Sequence, residues 1–387
     1  MASHQKKLSI AFYWHMHQPV YQLSDKSDFL MPWVRLHAVK DYFHMVCFLD
    51  RFKKLKLNFN IVPALLIAIK EYSEKGYQDL HSRLTVQDVS ELSDADKEFI
   101  INNFFDANYQ NMILKYPEYD RLFQKRQGLQ DNITGQFTDR EISDLMALFN
   151  LSWFDKSYID EFPKLKRLLK KGKNYTTKDR IEIINIQREI IKRIIPTYKK
   201  FLDEGRIEIT TSPFYHPILP LMLDISSLSD DFHGKNINFE MEDDAKLQIE
   251  MALNSIEETF GVRPRGMWPS EHCISEKELE LFKQFGVEWT ISDEGILANS
   301  INFDFVRDFR GYLEDPYHLL KTYNYKVDNS DINIIFRDSV IPNLINFEYH
   351  NHDGVAAAKD LYDRIKVIQN KLLSSPDNNH LLTIALD

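Results

Sequence analysis

Leu8-Ser9-Ile10-Ala11-Phe12-Tyr13-Trp14-His15-Met16-His17-Gln18-Pro19 is an apolar run that passes without a break into aromatic and imidazole side chains. Leu8 to Ala11 has the pattern of a buried strand. A strand sets residues i and i+2 on one face, so His15 and His17 emerge together where it ends. In a closed parallel barrel such strand ends build the active site. Paired imidazoles beside Trp14 and Gln18 suit a polar, hydroxyl-rich ligand, and the stretch predicts an enzyme.

Along the rest of the chain, further short apolar runs end in polar or aromatic residues and alternate with segments of helical period, as a βα architecture requires. The predicted strands are Leu8 to Trp14, Leu57 to Val62, Leu148 to Phe154, Ile207 to Thr211, Arg265 to Trp268, Val287 to Ser292 and Leu381 to Leu386. Ile332 to Phe336 is assigned to an extra hairpin. Seven principal strands predict a barrel-like sheet. Val39, Tyr42, Phe43, Val46, Leu49 and Phe52 recur at helical spacing, so Asp41 to Leu55 is an amphipathic covering helix. A second helix runs from Ile181 toward Gly205 with a kink at Pro196, and a third spans about Asp243 to Phe260. Ser275 with Glu278 is a capping-box signature for a short helix closed by Gly286. The charged, helix-rich stretch from about Glu71 to Arg180 is too long for an ordinary connection and reads as a helical insertion in one large domain.

The 387 residues are 43% hydrophobic, enough for a large core. A formal net charge of -10 argues against a nucleic-acid or anionic-membrane partner. Cys47 and Cys273 are too few for a disulfide framework. The N-terminus lacks a long apolar leader, and no run of about 18 apolar residues exists, so the simplest reading is a cytoplasmic protein without a membrane span.

Three further segments carry candidate chemistry. In Gly266-Met267-Trp268-Pro269-Ser270-Glu271-His272 a strand ends and leaves Glu271 at its mouth, as a nucleophile or base, or as a charge at a helix N-terminus. Trp268 offers a flat apolar face for a sugar ring. In Thr290-Ile291-Ser292-Asp293-Glu294-Gly295, Asp293 either hydrogen-bonds ligand hydroxyls or caps the next element. Arg337 and Asp338 end an apolar run, as ligand contacts or as an ordinary ion pair. His216 lies in a proline-punctuated aromatic loop after the Ile207 strand.

In this order the segments resemble glycoside hydrolase family 57, whose members include α-amylases, amylopullulanases, 4-α-glucanotransferases and branching enzymes. The resemblance rests on His15-Met16-His17-Gln18-Pro19, Met31-Pro32-Trp33-Val34-Arg35-Leu36-His37, Phe59-Asn60-Ile61-Val62-Pro63, Gly205 to Thr211 with His216-Pro217, and Trp268-Pro269-Ser270-Glu271. It implies a (β/α)7 barrel, a distorted TIM-like fold, and a retaining mechanism on α-glucans that needs no cofactor or metal. Glu271 falls on the family's nucleophile, and Asp387, after Leu381 to Leu386, on its general acid/base. His15, His17, Trp33, His37, His216, Trp268 and Asp293, with Arg337 and Asp338, would bind substrate.

Relatives continue beyond the position of Asp387 with a helical region, so the chain is expected to be truncated. Ile341-Pro342-Asn343 departs from the Leu-Ser-Asp of amylase-like relatives. The preferred reading is α-amylase-type hydrolysis, with 4-α-glucanotransferase or branching activity as the alternative. Two other classes compete: a metal-dependent barrel hydrolase using His15, His17, His216 and Asp293, and a glucan-binding fragment without activity.

Overall fold

The sheet is ordered by parallel pairing. In the computed structural model, which describes residues 7–24, 27–129, 133–224, 241–327, 330–375 and 377–386, the parallel strands are β1 (Lys7–Met16), β2 (Leu57–Ile61), β3 (Ile207–Thr210), β4 (Gly266–Met267), β5 (Trp289–Asp293), β7 (Ser330–Arg337) and β8 (Asn379–Leu386). Their order is β3-β2-β1-β8-β7-β5-β4, and β6 (Tyr323–Val327) adds to β7 antiparallel. A parallel bridge between Thr211 and Met267 joins the two ends of that order. The backbone N–H of Trp268 donates to the Thr211 carbonyl at 2.8 Å beside it. The result is a seven-stranded parallel barrel.

Alternation explains how one strand serves two environments. On β1 the even positions Leu8, Phe12 and Trp14 pack with Leu382, Ile384 and Leu386 of β8 in the large cluster outside the barrel. The odd position Tyr13 joins Trp268, Ile291 and Ala385 in a separate interior cluster. Period two therefore carries His15 inward above Tyr13.

The chain divides into two compact units, one of residues 1–17, 56–64 and 204–387, the other of 18–55 and 65–203. All eight strands lie in the first. The second is helical, with a nearly continuous helical path from Trp33 to Arg51 and a long helix, Thr177–Asp203, that runs unbroken through Pro196. Its buried centre is Arg35, whose guanidinium makes two bonds to Asp79, at 2.6 and 3.0 Å, and one each to Asn150 and Gln187. Four separate segments are tied together by one charge-assisted cluster. No helix among the described residues is long and apolar enough to cross a membrane.

Two strand assignments change. Leu148 to Phe154 is not a strand: most of it belongs to the helix Asp139–Ser152, whose N-cap Thr138 shares a capping box with Glu141. Leu145, Met146, Ala147, Leu148, Phe149 and Leu151 are all buried, and a helix apolar on every side has the same sequence pattern as a buried strand. Conversely, Ile332 to Phe336 is no mere hairpin arm. It belongs to β7, which pairs β5 in parallel and meets β8 at Arg337↔Thr383 as well as holding β6. Seven barrel strands result because the two errors cancel.

The helix Glu276–Gln284 carries half of the expected capping box. Ser275 accepts the Glu278 N–H at 3.3 Å, but the Glu278 side chain does not return to complete the box. It is fully buried, and among the described residues neither carboxyl oxygen has a hydrogen-bond partner. Burial holds this carboxyl well above its ordinary 4.5. The folded state thus keeps a proton that the unfolded chain releases above pH 4.5, and stability is lost as pH rises. Glu278→Met is expected to raise stability by about 1–3 kcal/mol at neutral pH. Urea midpoints should show that gain shrinking on acidification toward 4.5; a gain independent of pH would show that ionisation is not what Glu278 costs.

Candidate active site

Every parallel strand of the barrel delivers its C-terminal end to one mouth, where the polar residues collect. Asn60 on β2 is the hub at the end of β1. Its carbonyl oxygen Oδ1 lies 2.7 Å from His15 Nδ1 and accepts the Ser212 hydroxyl at 3.1 Å, while its Nδ2 donates to Thr210 Oγ1 at 3.3 Å. Thr210 in turn bonds the Tyr13 hydroxyl. An amide oxygen only accepts, so His15 carries its proton on Nδ1 and Nε2 is left as an acceptor. Asn60, Thr210 and Ser212 are wholly buried. Asn60 was not singled out from the sequence; the available signal was an amide inside the apolar run Phe59 to Val62.

Above this hub the rings stack. His15 lies 4.7 Å from Trp268 at an interplanar angle of 20°, and 4.9 Å from His216. His216 stacks on His17 at 4.4 Å, and Trp268 meets His272 at 4.4 Å. The expected trio of His15, His17 and His216 is brought together, with His272 as a fourth. His216 sits at φ 60°, its own N–H bonded to the Pro213 carbonyl at 2.8 Å, and its buried Nε2 has no hydrogen-bond partner among the described residues. Trp268 is only 2% exposed and packed among Tyr13, His15 and His272, so it is not the open sugar platform read from the sequence. It supports the imidazoles instead.

Glu271 occupies the turn Ser270–His272 that follows β4. It is exposed, whereas Ser270 and His272 on either side are buried. Glu271 and His272 both hold left-handed backbone, φ 56° and 57°, a conformation that costs a non-glycine residue about 1–3 kcal/mol and concentrates at functional sites. The turn presents the carboxylate at the barrel mouth while driving its neighbours inward.

The other candidates divide. Asp293 ends β5 and caps the next helix, its Oδ1 accepting the Gly295 N–H at 2.8 Å, while its Oδ2 accepts from Arg337 Nε at 2.8 Å. Asp293 and Arg337 nevertheless stay partly exposed. Arg337 and Asp338 do not pair with each other. Asp338 is buried, capping Val340 and Ile341 and bound by Arg307 at 3.0 Å, while Arg307 also grips Glu294. Asp338 is therefore a structural anchor, and Arg307 and Glu294 are partners that the sequence did not point to. Trp33 and His37 lie in the helical unit, on the helix Trp33–His37, where His37 Nδ1 is 2.8 Å from Asp41 and both rings neighbour Trp153. Asp387 lies outside the described residues.

Three of the imidazoles are neutral. Burial, reinforced by the neighbouring rings, pushes His15 and His216 from 6.5 down to about 3, and burial with Arg337 nearby holds His272 well below its ordinary value too. Such rings suit uncharged hydroxyls. Among the described residues, no group of three or more His, Cys, Asp or Glu side chains converges as a metal site, and Asp293 is engaged by Arg337.

A depressed histidine pKa means that the unfolded chain binds protons first as pH falls below 6.5, so stability declines from there toward about 3. Denaturation midpoints are expected to fall more steeply with acidification in the wild type than in His216→Asn. Parallel profiles across that window would contradict the neutral-cluster assignment.

Residues 11–387 match the family model described as glycosyl hydrolase family 57. No curated protein matches the chain in sequence. Among solved structures it is similar to the α-amylase AmyC of Thermotoga maritima, with a TM-score of 0.53 and 13% identity over 99% of this chain and 67% of that one. It is also similar to the branching enzyme TK1436 of Thermococcus kodakaraensis, with a TM-score of 0.48 and 12% identity over 98% of this chain and 64% of that one. A third is the 4-α-glucanotransferase of Thermococcus litoralis, with a TM-score of 0.47 and 13% identity, where 99% of this chain covers 34% of that one. The chain thus spans about two thirds of the first two and one third of the third. These identities speak to fold alone, but the family match runs from the middle of β1 to the last residue, through every other barrel strand and the turn that carries Glu271, and the chain belongs to glycosyl hydrolase family 57.

Proposed function

We propose that this chain carries the catalytic site of a retaining glycoside hydrolase acting on α-glucans, with hydrolysis of the α-amylase type as its main reaction. The observation that carries the reading is Glu271, an exposed carboxylate held in left-handed backbone at the barrel mouth, on the loop whose Trp268 packs with His272 and with His15, which in turn meets His216. A retaining glycosidase needs one carboxylate as nucleophile and a second group that donates and then withdraws a proton.

In this reading Glu271 attacks the anomeric carbon and the glycosidic bond breaks. Asp387, which follows directly on β8, gives its proton to the departing oxygen. The glycosyl-enzyme then reacts with water, and Asp387 takes the proton back. Retention requires the two carboxyl groups roughly 5–5.5 Å apart. His15 accepts at Nε2 from a sugar hydroxyl, and His17 and His216 shape the same subsite. Neutral imidazoles suit this role because they bind hydroxyls without adding a charge to compete for the nucleophile. Asp293 and Arg337, partly exposed and paired, form a polar wall. Transfer to a sugar hydroxyl uses the same intermediate and differs only in the acceptor.

Glu271→Gln is expected to lower turnover of soluble starch or maltooligosaccharides by more than about a thousandfold with little change in folding. NMR of the wild-type reaction should show α-configured product at early times. An unimpaired Glu271→Gln would discard the nucleophile assignment, and initial β-configured product would replace retention with inversion. Longer oligosaccharides appearing alongside shorter ones would make transfer, not hydrolysis, the main reaction.

A further inference from the structure

Closed parallel barrels fill their interior with layers of bulky side chains. Here the middle is filled by Tyr13, Trp268, Ile291 and Ala385, but the layer toward the strand starts is not. β1 contributes only Ala11 there, and the space beside Gly266 of β4 is taken by the Trp289 indole. A cavity of about 440 Å³ results, with Ala11, Asn58, Trp289, Thr322, Asn333 and Leu381 around it and Tyr13 between it and the histidines.

The aromatic wall of this cavity is fixed. A Cβ on Gly266 would fall 2.4 Å from Cε2 of Trp289, so the indole occupies the space that any larger residue would take. Its Nε1 donates to Glu208 Oε1 on β3 at 3.1 Å, so the ring spans the gap left by β4. The amides opposite are underused. Asn58 makes a 3.4 Å contact to the Phe12 carbonyl and Asn333 a 3.5 Å contact to Asn324, both at the limit of a hydrogen bond. Among the described residues no Lys or Arg lines the space, so they offer an anionic ligand no counter-charge. A rigid indole, two amides and the Thr322 hydroxyl match a pyranose, with its apolar C–H face and its ring of hydroxyls. The volume lies in the range of roughly 300–1,000 Å³ common to small-ligand sites.

We propose that the N-terminal mouth of the barrel is a second, non-catalytic binding site for a neutral polyhydroxylated ligand of one or two sugar rings, stacked on Trp289 and hydrogen-bonded by Asn58 and Asn333. It stands on the cavity and goes beyond the catalytic reading, which concerns the opposite mouth.

The test labels the five tryptophans with 5-fluorotryptophan and follows their 19F resonances during titration with maltose and glucose, the Trp289 signal being assigned by its loss in Trp289→Phe. The expected result is a saturable shift of the Trp289 signal in the wild type and in Glu271→Gln. Ala11→Leu, which fills the cavity with aliphatic volume, should abolish that shift and leave starch turnover unchanged. A Trp289 signal that stays still while starch is turned over overturns the proposal and leaves water as the only occupant. A shift that persists in Ala11→Leu overturns it too, by moving the ligand elsewhere. Absence of starch turnover in every form would fail the catalytic reading, and the Trp289 shift would still decide this one.

Discussion

The barrel closes on very little: one parallel bridge from Thr211 to Met267 and the 2.8 Å hydrogen bond from the Trp268 N–H to the Thr211 carbonyl. Most other joins of the parallel ladder are longer, and without this one the sheet would present β3 and β4 as open edges. The candidate site hangs on the same closure. Trp268 is the first residue past β4, and once its backbone is bonded to β3 its indole is carried against His15 and His272. Glu271 follows three residues later, so its place at the mouth is inherited from the closure.

Burial then settles the chemistry of the mouth. Packing His15, His216 and His272 about an indole withdraws them from water, and desolvation favours their neutral forms over any charge the surroundings offer. Protonating one would raise the cost of protonating the next, because His15, His216 and His17 stack within about 5 Å of each other in turn. The Asn60 hub completes the arrangement by giving His15 one defined tautomer. The left-handed backbone at His216, Glu271 and His272 is the cost of aiming these groups, and it is offset by the packing that surrounds them.

Much of this was legible because β1 writes two codes at once. Leu8, Phe12 and Trp14 mark the outside and Tyr13, His15 and His17 the inside, and that alternation alone predicts a barrel strand ending in imidazoles. Runs buried on all sides were harder. Leu148 to Phe154 carries no period that separates helix from strand, although the Thr138–Glu141 cap was available to decide it. Asp338 and Trp268 were hard to assign for a different reason: a carboxylate or an indole at a strand end looks like a ligand contact until tertiary partners claim it. Arg307 claims Asp338, and three rings claim Trp268. Nothing local in the sequence announces either partner.

Gly266 links the two ends of the barrel. A side chain there would meet Trp289 on one side and Thr210 Cγ2, 2.9 Å away, on the other. If Trp289 gave way, the indole would swing into the lower cavity and its bond to Glu208 would be lost. If Thr210 gave way, its hydroxyl would leave Asn60, and the seat of His15 would loosen. The absence of one methyl group therefore keeps the lower mouth open and the upper mouth ordered. A strand of only two residues, β4, is tolerated in this barrel because the Trp289 indole fills the place where its inward side chain would have been.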